Sequence, residues 1–298
     1  MDLDQTTLSF SPAATTLLQC ILAIVVFGVA LELSFADFRQ LLRAPRALFA
    51  GFLSQLVLLP LLTYALVAVA DPRPSIALGL MMAAACPGGN MSNVLTHWSG
   101  GRTSVSMTLT TVSSLVSPVV TPLTFALLGG MHPATAAAMR QIAVPYSELV
   151  VTILIALVLP LSAGMWIASH HPALAARLQK PLKRFGLVVF TLFVLLAVAA
   201  NAKMVSAAML TIFVLVLVHN ALALITGYSV AALFGAHEAE RRAVTFETGI
   251  HNLALGMTLV FTYFQGLGGM ALVLGWAGVW HLITGGVLAR YWARHKPA

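Results

Sequence analysis

Charged residues are scarce in this chain of 298 residues: they make up 8% of the composition, while hydrophobic residues make up 59%. Soluble domains contain about 25% charged residues, so this chain has too little charge to cover the surface of a soluble protein. The mean hydropathy of +0.94 agrees with that conclusion. The remaining class is a polytopic membrane protein. A transmembrane β-barrel is excluded, because the apolar runs are much longer than its alternating strands of about 10 residues.

Cysteine is nearly absent, and the start of the chain lacks basic residues. Cys20 and Cys86 lie in separate apolar runs, which favours two inert thiols packed as small hydrophobic groups. Asp2 and Asp4 precede the first apolar run, whereas no lysine or arginine does, so the pattern of a secretory signal is missing. We therefore expect the first run to remain as a membrane span.

Long apolar runs separated by polar residues predict nine membrane spans, each near the length that a bilayer requires. The spans lie near residues 13–32, 46–70, 75–98, 103–129, 142–168, 185–200, 204–234, 242–264 and 268–292. With short loops between them, these spans leave no room for a domain outside the membrane.

Lysine and arginine are distributed unequally over the alternating connections between the spans. One side has only Arg73, Arg140 and Lys203. The other side has Arg39, Arg43, Arg46, Arg102, Arg177, Lys180, Lys183, Arg184, Arg241, Arg242, Arg290, Arg294 and Lys296. The positive-inside rule places this second side, with the C-terminus, in the cytoplasm and the N-terminus on the opposite side. The composition, rich in alanine and arginine, suggests a bacterial inner membrane, so the N-terminus would lie in the periplasm. Because the basic residues are scattered through short loops, we expect no nucleic-acid partner.

Polar residues, glycine and proline interrupt two of the spans. The third span contains CPGGNMSN at residues 86–93, and the eighth contains ETGIHN at residues 247–252. Backbone groups freed by such breaks must be buried in protein or line a watery cavity, since lipid cannot pair with them. The breaks are five spans apart, so the two helices run in opposite directions, as in inverted-repeat transporters. The fold class is therefore an all-α polytopic membrane protein with two discontinuous helices.

Glu247 is an isolated carboxylate near the middle of the eighth span. Such a group costs about 2.5–3.5 kcal/mol on insertion scales, and no lysine or arginine lies in the central part of any span. A bound cation or a proton is the natural partner, and a protonated structural side chain is the alternative. On one face of the fourth span, hydroxyls recur at Ser106, Thr110, Ser113 or Ser114, and Ser117. Oxygen ligands with one carboxylate suit sodium better than a transition metal.

Two asparagines follow the breaks. Asn93 and Asn252 lie near the start of each second half-helix, where exposed N–H groups and the helix dipole attract an anion. Each asparagine could instead be a plain helix cap. Since carbonyls at the same breaks can bind a cation, the pattern predicts coupled transport of an organic anion with a cation.

Three motifs resemble signatures of the bile acid:sodium symporter family. Residues 86–93 resemble its CPGGxxSN motif, residues 105–114 resemble LSxxxTxxST, and residues 247–252 resemble ExGxQN. The resemblance extends over nearly the whole chain, from about residue 24 to 292. It implies a core domain and a smaller panel domain that move against each other for alternating access.

The resemblance also implies which parts of the chain form these domains. Spans 1, 5 and 6, within residues 1–44 and 141–202, would form the panel. Spans 2–4 and 7–9, within residues 45–140 and 203–298, would form the core, where the two broken helices cross.

The site residues follow from the same resemblance. The first sodium site would contain Ser92, Asn93, Ser106, Thr110 and Glu247. The second would use Glu247, Gln55 and backbone carbonyls near Thr248 and Ile250. A small organic anion, either bile-acid-like or a small carboxylate, would approach the crossing near Asn90, Met91 and Asn252. The expected coupling ion is Na⁺, and no obligate protein partner is inferred.

One position departs from the family pattern. His251 replaces the glutamine that the family uses in the second sodium site. A neutral imidazole offers a nitrogen lone pair in place of an oxygen, and a protonated one would repel sodium. Either the substitution is tolerated, or His251 binds a proton in place of the second sodium. The second hypothesis predicts pH-dependent transport, and a flat profile from pH 5.5 to 8 would contradict it.

Other functions receive less support from the sequence. The segment HEAER at residues 237–241 lacks the second histidine of a metalloprotease motif, and no G-x-S-x-G sequence occurs, so we expect no enzyme. Two alternatives remain within transport. One is a proton-coupled anion transporter that uses Glu247 and His251. The other is an arsenite-type efflux permease that uses the thiol of Cys86.

Overall fold

A computed structural model of the protein describes residues 4, 12–31, 44–141, 146–200 and 202–295. The described residues are almost entirely helical, and the only β pairing among them is one isolated bridge. The helices are α1 Pro12–Ala30, α2 Pro45–Leu53, α3 Leu59–Ala70, α4 Pro74–Ala85, α5 Asn90–Trp98, α6 Thr103–Met131, α7 Pro133–Gln141, α8 Tyr146–His170, α9 Pro172–Ala200, α10 Ala202–Leu233, α11 Glu238–Gly249, α12 Leu253–Tyr263 and α13 Gly268–Arg294. The predicted all-α class is confirmed.

The predicted breaks in the third and eighth spans are present. Helix α4 ends at Ala85 and α5 starts at Asn90, while α11 ends at Gly249 and α12 starts at Leu253. The second span is also irregular, because a π-helical turn, Ser54–Leu58, joins α2 to α3. Such turns inside α-helices are frequent at functional sites.

The helix that contains the predicted sixth span begins before that span. We expected a span at residues 185–200, preceded by a basic loop, whereas α9 begins at Pro172 and continues to Ala200. The basic residues from Arg177 to Arg184 therefore lie on the first turns of a long helix. Lysine and arginine are good helix formers, so their charge marks where the helix leaves the lipid and not where the helix begins.

Four helical segments among the described residues are long and apolar enough to cross a membrane: Pro45–Ala70, Thr103–Met131, Met209–Leu233 and Gly268–Arg294. Shorter apolar helices accompany them, including α4 and α12, which are halves of the interrupted spans. In α4 every residue after Pro74 is buried. The broken helices are thus enclosed by protein, as unpaired backbone in a membrane requires.

Helices α1, α8 and α9 pack on one another. Helix α4 packs on α13, and α11 packs on α10, α5 and α6. The largest buried apolar cluster extends from α4 to α12 and α13 and reaches α1. Of the basic residues assigned to the cytoplasmic side, Arg39, Arg43 and Lys296 lie outside the described residues. The same is true of part of the first predicted domain segment, residues 1–44.

Candidate functional site

The two breaks cross and pair through their backbones. The N–H of Gly89 donates to the carbonyl of Ile250 at 2.9 Å, and the N–H of Asn252 donates to the carbonyl of Pro87 at 2.9 Å. The pairing forms an antiparallel bridge between Gly88 and His251. Groups that neither helix can pair internally are thereby satisfied away from water. The antiparallel bridge also agrees with the opposite directions predicted for the two broken helices.

Glycine is required where the crossing is tightest. A Cβ atom on Gly89 would lie 2.9 Å from the carbonyl oxygen of His251. A Cβ atom on Gly88 would collide with Oε1 of Glu247. The two glycines therefore allow the backbone of one break to approach the carboxylate and backbone of the other.

Three hydroxyl groups surround one oxygen of Glu247, and we call them the hydroxyl cradle. Ser92 donates to Oε2 at 2.5 Å, Thr110 lies 2.9 Å from the same oxygen, and Ser106 lies 3.4 Å from it. Glu247 is fully buried, and no lysine or arginine forms an ion pair with it among the described residues. A buried carboxylate with only neutral neighbours favours a cation at this point.

The cradle is built from two helices, and Glu247 lies on a third, α11. Ser92 lies on α5, while Ser106 and Thr110 lie one turn apart on α6, so they share a face. Thr110 Oγ1 is also 3.0 Å from the carbonyl of Ser106 and 3.3 Å from Oδ1 of Asn93. A hydroxyl has one hydrogen and two lone pairs. Thr110 can therefore donate to the carbonyl of Ser106 and still offer a lone pair to a cation beside Glu247.

The second oxygen of Glu247 has different surroundings. Oε1 is buried and has no hydrogen-bond partner among the described residues. The same holds for the Thr248 hydroxyl, both amide atoms of Gln55 and both ring nitrogens of His251. Gln55 lies on the π-helical turn that packs against α11. The carbonyl of Ile250 accepts the bond from Gly89 and keeps one lone pair.

Two further histidines lie beside His251. The ring centroid of His251 is 5.6 Å from that of His281 on α13 and 6.4 Å from that of His219 on α10. All three side chains are buried. Next to them, Asn220 donates to the carbonyl of Gly249 at 2.8 Å and accepts a bond from Thr284 at 2.7 Å. Asn220 therefore ties the end of α11 to α10 and α13.

Two of the hydroxyls that continue the face of α6 have structural partners, whereas that of Ser114 has none among the described residues. Ser113 donates to the carbonyl of Thr110 at 3.2 Å, and Ser117 donates to that of Ser114 at 2.8 Å. Proline at 118 has no N–H to pair with the carbonyl of Ser114, so the Ser117 hydroxyl replaces the missing donor. The predicted face is real, but among these hydroxyls only those of Ser106 and Thr110 contact Glu247.

A buried arginine anchors the other end of α11. Arg242 donates to the carbonyls of Ser99 at 2.6 Å, Trp292 at 3.1 Å and His295 at 2.7 Å. These carbonyls belong to the C-terminal ends of α5 and α13, where a cation is favoured. The anchor connects the helix that contains Glu247 to the helix that contains Ser92.

Two cavities border the crossing in the part of the chain that the structure describes. The larger has a volume of about 290 Å³ and lies between α1, α9, α13 and the crossing. Asn90, Met91, His251 and Asn252, which the sequence predicted as site residues, all line it. The smaller has a volume of about 20 Å³ and is lined by α1, α6, α8, Pro87 and Asn252.

The Asn252 side chain also accepts a bond from the N–H of Leu255, so the capping interpretation is confirmed for this residue.

Cys86 is buried and lies away from both cavities. A Cβ atom on Gly256 would lie 2.9 Å from its Sγ, so the thiol packs directly on α12. This position agrees with an inert packing role.

Comparison with known proteins decides the family. The family model described as "Sodium Bile acid symporter family" matches residues 19–208. The chain belongs to this family. An uncharacterised sodium-dependent transporter of Bacillus subtilis, YocS, is 30% identical over 273 residues, which cover 92% of this chain and 82% of YocS. The human ileal sodium/bile acid cotransporter is 28% identical over 252 residues, covering 84% and 70% of the two chains.

A chloroplast relative extends the comparison to plants. The probable sodium/metabolite cotransporter BASS1 of Arabidopsis thaliana is 27% identical over 276 residues, covering 93% of this chain and 66% of BASS1. Family and relatives indicate a sodium-coupled transporter of the bile acid symporter type, in a multi-pass membrane protein. The crossing and the cradle described above are therefore the candidate site of this symporter.

The structure brings together most of the residues that the sequence predicted for the site, and it adds two residues that the sequence analysis did not include in it. The role of Gly88 beside Glu247 depends on the crossing, and the CPGG motif was the signal that could have indicated it. Lys183, which lines the larger cavity, was assigned to a cytoplasmic loop. Nothing in the sequence placed it near the crossing.

Proposed function

We propose that this symporter moves a small organic anion inward together with sodium, by alternating access. Its sodium is bound by Glu247, Ser92, Ser106, Thr110 and Asn93. The observation that supports this most directly is the convergence of three hydroxyls on one carboxylate oxygen inside the protein. Such a set has only oxygen ligands and one negative charge, which suits a hard monovalent cation.

A second sodium site is proposed at Oε1 of Glu247, with Gln55, His251 and carbonyls near Thr248 and Ile250. Its support is the group of buried polar atoms that have no partner among the described residues. An unpaired buried polar group costs about 1–3 kcal/mol. Binding an ion would pair several of these atoms at once.

Alternating access is proposed as a movement of α1, α8 and α9, the panel, against the remaining helices, the core. Helices α1 and α9 form one wall of the larger cavity, and the crossing forms the opposite wall. With the N-terminus outside, the larger cavity faces the cytoplasm.

The first test is the melting temperature of the detergent-purified protein in sodium, with potassium keeping the ionic strength constant, at pH 6 and pH 8. A ligand that binds only the folded state adds about 2.7 kcal/mol of stability at 100 times its Kd. We expect a saturable rise in Tm that is specific for sodium. Glu247→Gln keeps the side-chain volume and removes the charge, so the rise should disappear.

Two results would contradict this assignment. An equal Tm in sodium and potassium at both pH values would favour proton coupling. A sodium-specific rise that persists in Glu247→Gln would place the ion elsewhere in the protein.

A further inference from the structure

Helix α5, which contains Ser92, is short and is bonded at both of its ends. It has nine residues. Just before its first turn, the N–H of Gly89 donates to the carbonyl of Ile250 at the crossing. Just after its last residue, the carbonyl of Ser99 accepts a bond of 2.6 Å from Arg242. A shift of α5 along its axis would therefore change the contacts at both ends.

Arg242 and Glu247 lie on the same helix, α11, and contact opposite ends of α5. Glu247 lies about 7.5 Å further along α11 than Arg242, and there Ser92 donates to Oε2 of Glu247 at 2.5 Å. The two helices thus run antiparallel, with Ser92 in contact at one end and Ser99 at the other. The bond to Ser99 consequently helps to determine how close the Ser92 hydroxyl comes to the carboxylate.

The turn that follows α5 also bonds to the start of α11. The N–H of Arg102 donates to the carbonyl of Ala239 at 2.7 Å, and its guanidinium forms an ion pair of 2.6 Å with Glu240. A Cβ atom on Gly101 would lie 3.2 Å from Cβ of Arg242, so the turn packs closely on this arginine. Helix α6, with the other two cradle hydroxyls, begins directly after the turn. All three hydroxyls of the cradle are therefore connected to the start of α11.

Arg242 is suited to hold this junction, because it has several partners in a buried position. It is only 3% exposed, and it also donates to the carbonyls of Trp292 and His295 at the end of α13. Its guanidinium carbon lies 5.3 Å from the ring centroid of Trp292, and its Nε pairs with Glu238 at 3.0 Å. A guanidinium is a rigid plane with five N–H donors. One side chain can therefore orient the ends of α5 and α13 against α11 at the same time.

We propose that Arg242 is a positioning residue for the sodium site, and that it acts through α5 and the hydroxyl of Ser92. This inference rests on the proposed sodium site and names a residue outside the ligands on which the affinity of that site depends. Removing a group that orients metal ligands lowers metal affinity about 10–100-fold. Arg242 orients a ligand helix in this sense, although it does not contact the ion site itself.

The test is a sodium titration of the Tm of the detergent-purified protein, with potassium keeping the ionic strength constant. Arg242→Gln should weaken the apparent sodium affinity about tenfold. Arg242→Lys keeps the charge but cannot bond all three carbonyls in one plane, so it should weaken the affinity about threefold. Arg241→Gln is the matched control, because the guanidinium of Arg241 bonds the carbonyl of Ala236 in its own segment. The control should keep the affinity of the unchanged protein.

A double-mutant cycle with Ser92→Ala separates positioning from a general loss of stability. Each single variant, Ser92→Ala and Arg242→Gln, should weaken sodium binding about tenfold. If Arg242 acts through Ser92, Arg242→Gln should change the affinity less than about twofold once the Ser92 hydroxyl is absent. An arginine that only stabilises the fold would lower the Tm equally in sodium and potassium and would leave the sodium affinity unchanged.

The outcomes distinguish this inference from the proposed function. Absence of a sodium-specific rise in Tm in the unchanged protein would overturn the sodium site itself. With that rise intact, three results would overturn only the positioning role. They are an unchanged sodium affinity in Arg242→Gln, or in Arg242→Lys where the glutamine variant does not fold, an equal loss in Arg241→Gln, and additive losses in the cycle.

Discussion

The two oxygens of Glu247 lie in contrasting surroundings. Around Oε2, the hydroxyl cradle supplies contacts of 2.5, 2.9 and 3.4 Å. On the other side, Oε1 and both ring nitrogens of the neighbouring His251 have no partner among the described residues, and the next groups are the imidazoles of His219 and His281. The cradle presents hydroxyl oxygens to Oε2, whereas the groups beside His251 are the nitrogen-bearing rings of His219 and His281.

This contrast suggests that the two sides differ in what they bind. Hydroxyls offer oxygen lone pairs that sodium prefers, and imidazoles offer nitrogen. We therefore expect a strong sodium site at the cradle and a weakened one at His251. Three substitutions test this difference.

The largest effect is expected for Gly88→Ala. The added methyl group would collide with Oε1 of Glu247 and push the carboxylate away from the cradle. Overpacking of this kind costs about 1–3 kcal/mol, so apparent sodium affinity should fall about tenfold or more. Sodium titration of the Tm measures this.

Gly130→Ala is the matched control, because a Cβ atom there meets nothing within 4 Å. The control should keep the sodium response of the unchanged protein. If Gly88→Ala behaved in the same way, the close approach of the crossing to Glu247 would not matter for the ion.

An intermediate effect is expected for Thr110→Val, which removes one hydroxyl of the cradle at nearly constant volume. The lost contact of 2.9 Å corresponds to about 1–1.5 kcal/mol, or about a tenfold weaker sodium affinity in uptake assays. Thr108→Val is the control on the same helix, since that hydroxyl bonds the carbonyl of Ser104. Equal sodium affinities in the two variants would show that the cradle is not the ion site.

The smallest effect is expected for His251→Gln, which adds an amide oxygen to the imidazole side. Sodium affinity should rise only about threefold, because one additional hydrogen bond or ligand contact of this kind contributes little binding free energy. The dependence of uptake on sodium should also become steeper, with a Hill coefficient rising from about one toward two if a second ion binds. His219→Gln changes a neighbouring imidazole outside the predicted ligands and should leave the steepness unchanged. An unchanged Hill coefficient in His251→Gln would mean that the imidazole is not what weakens the second site.

Much of the site was predictable from sequence because polar groups inside a membrane are costly and therefore conspicuous. Glu247, the two broken helices and the hydroxyls at Ser106 and Thr110 all stood out against apolar surroundings, and the structure brings them together. The start of α9 was not predictable in this way. A basic amphipathic helix and a basic loop have the same composition, so hydropathy could not distinguish them.

Other features depend on contacts between distant parts of the chain. The π-helical turn at Gln55 is a small backbone change within an unbroken apolar run, without a signal of its own. The neighbourhood of His219, His251 and His281 joins residues of three helices. Neither feature has a local pattern that could have predicted it.

The sequence by itself determined that the chain spans a membrane, where its two spans break and which carboxylate is exceptional, because lipid penalises every unpaired polar group. Only the tertiary structure decided that the breaks pair backbone to backbone, that Gly88 borders Glu247 and that Lys183 lines the cavity. These depend on distances between helices, and such distances are determined by how whole helix faces pack rather than by any local run of residues.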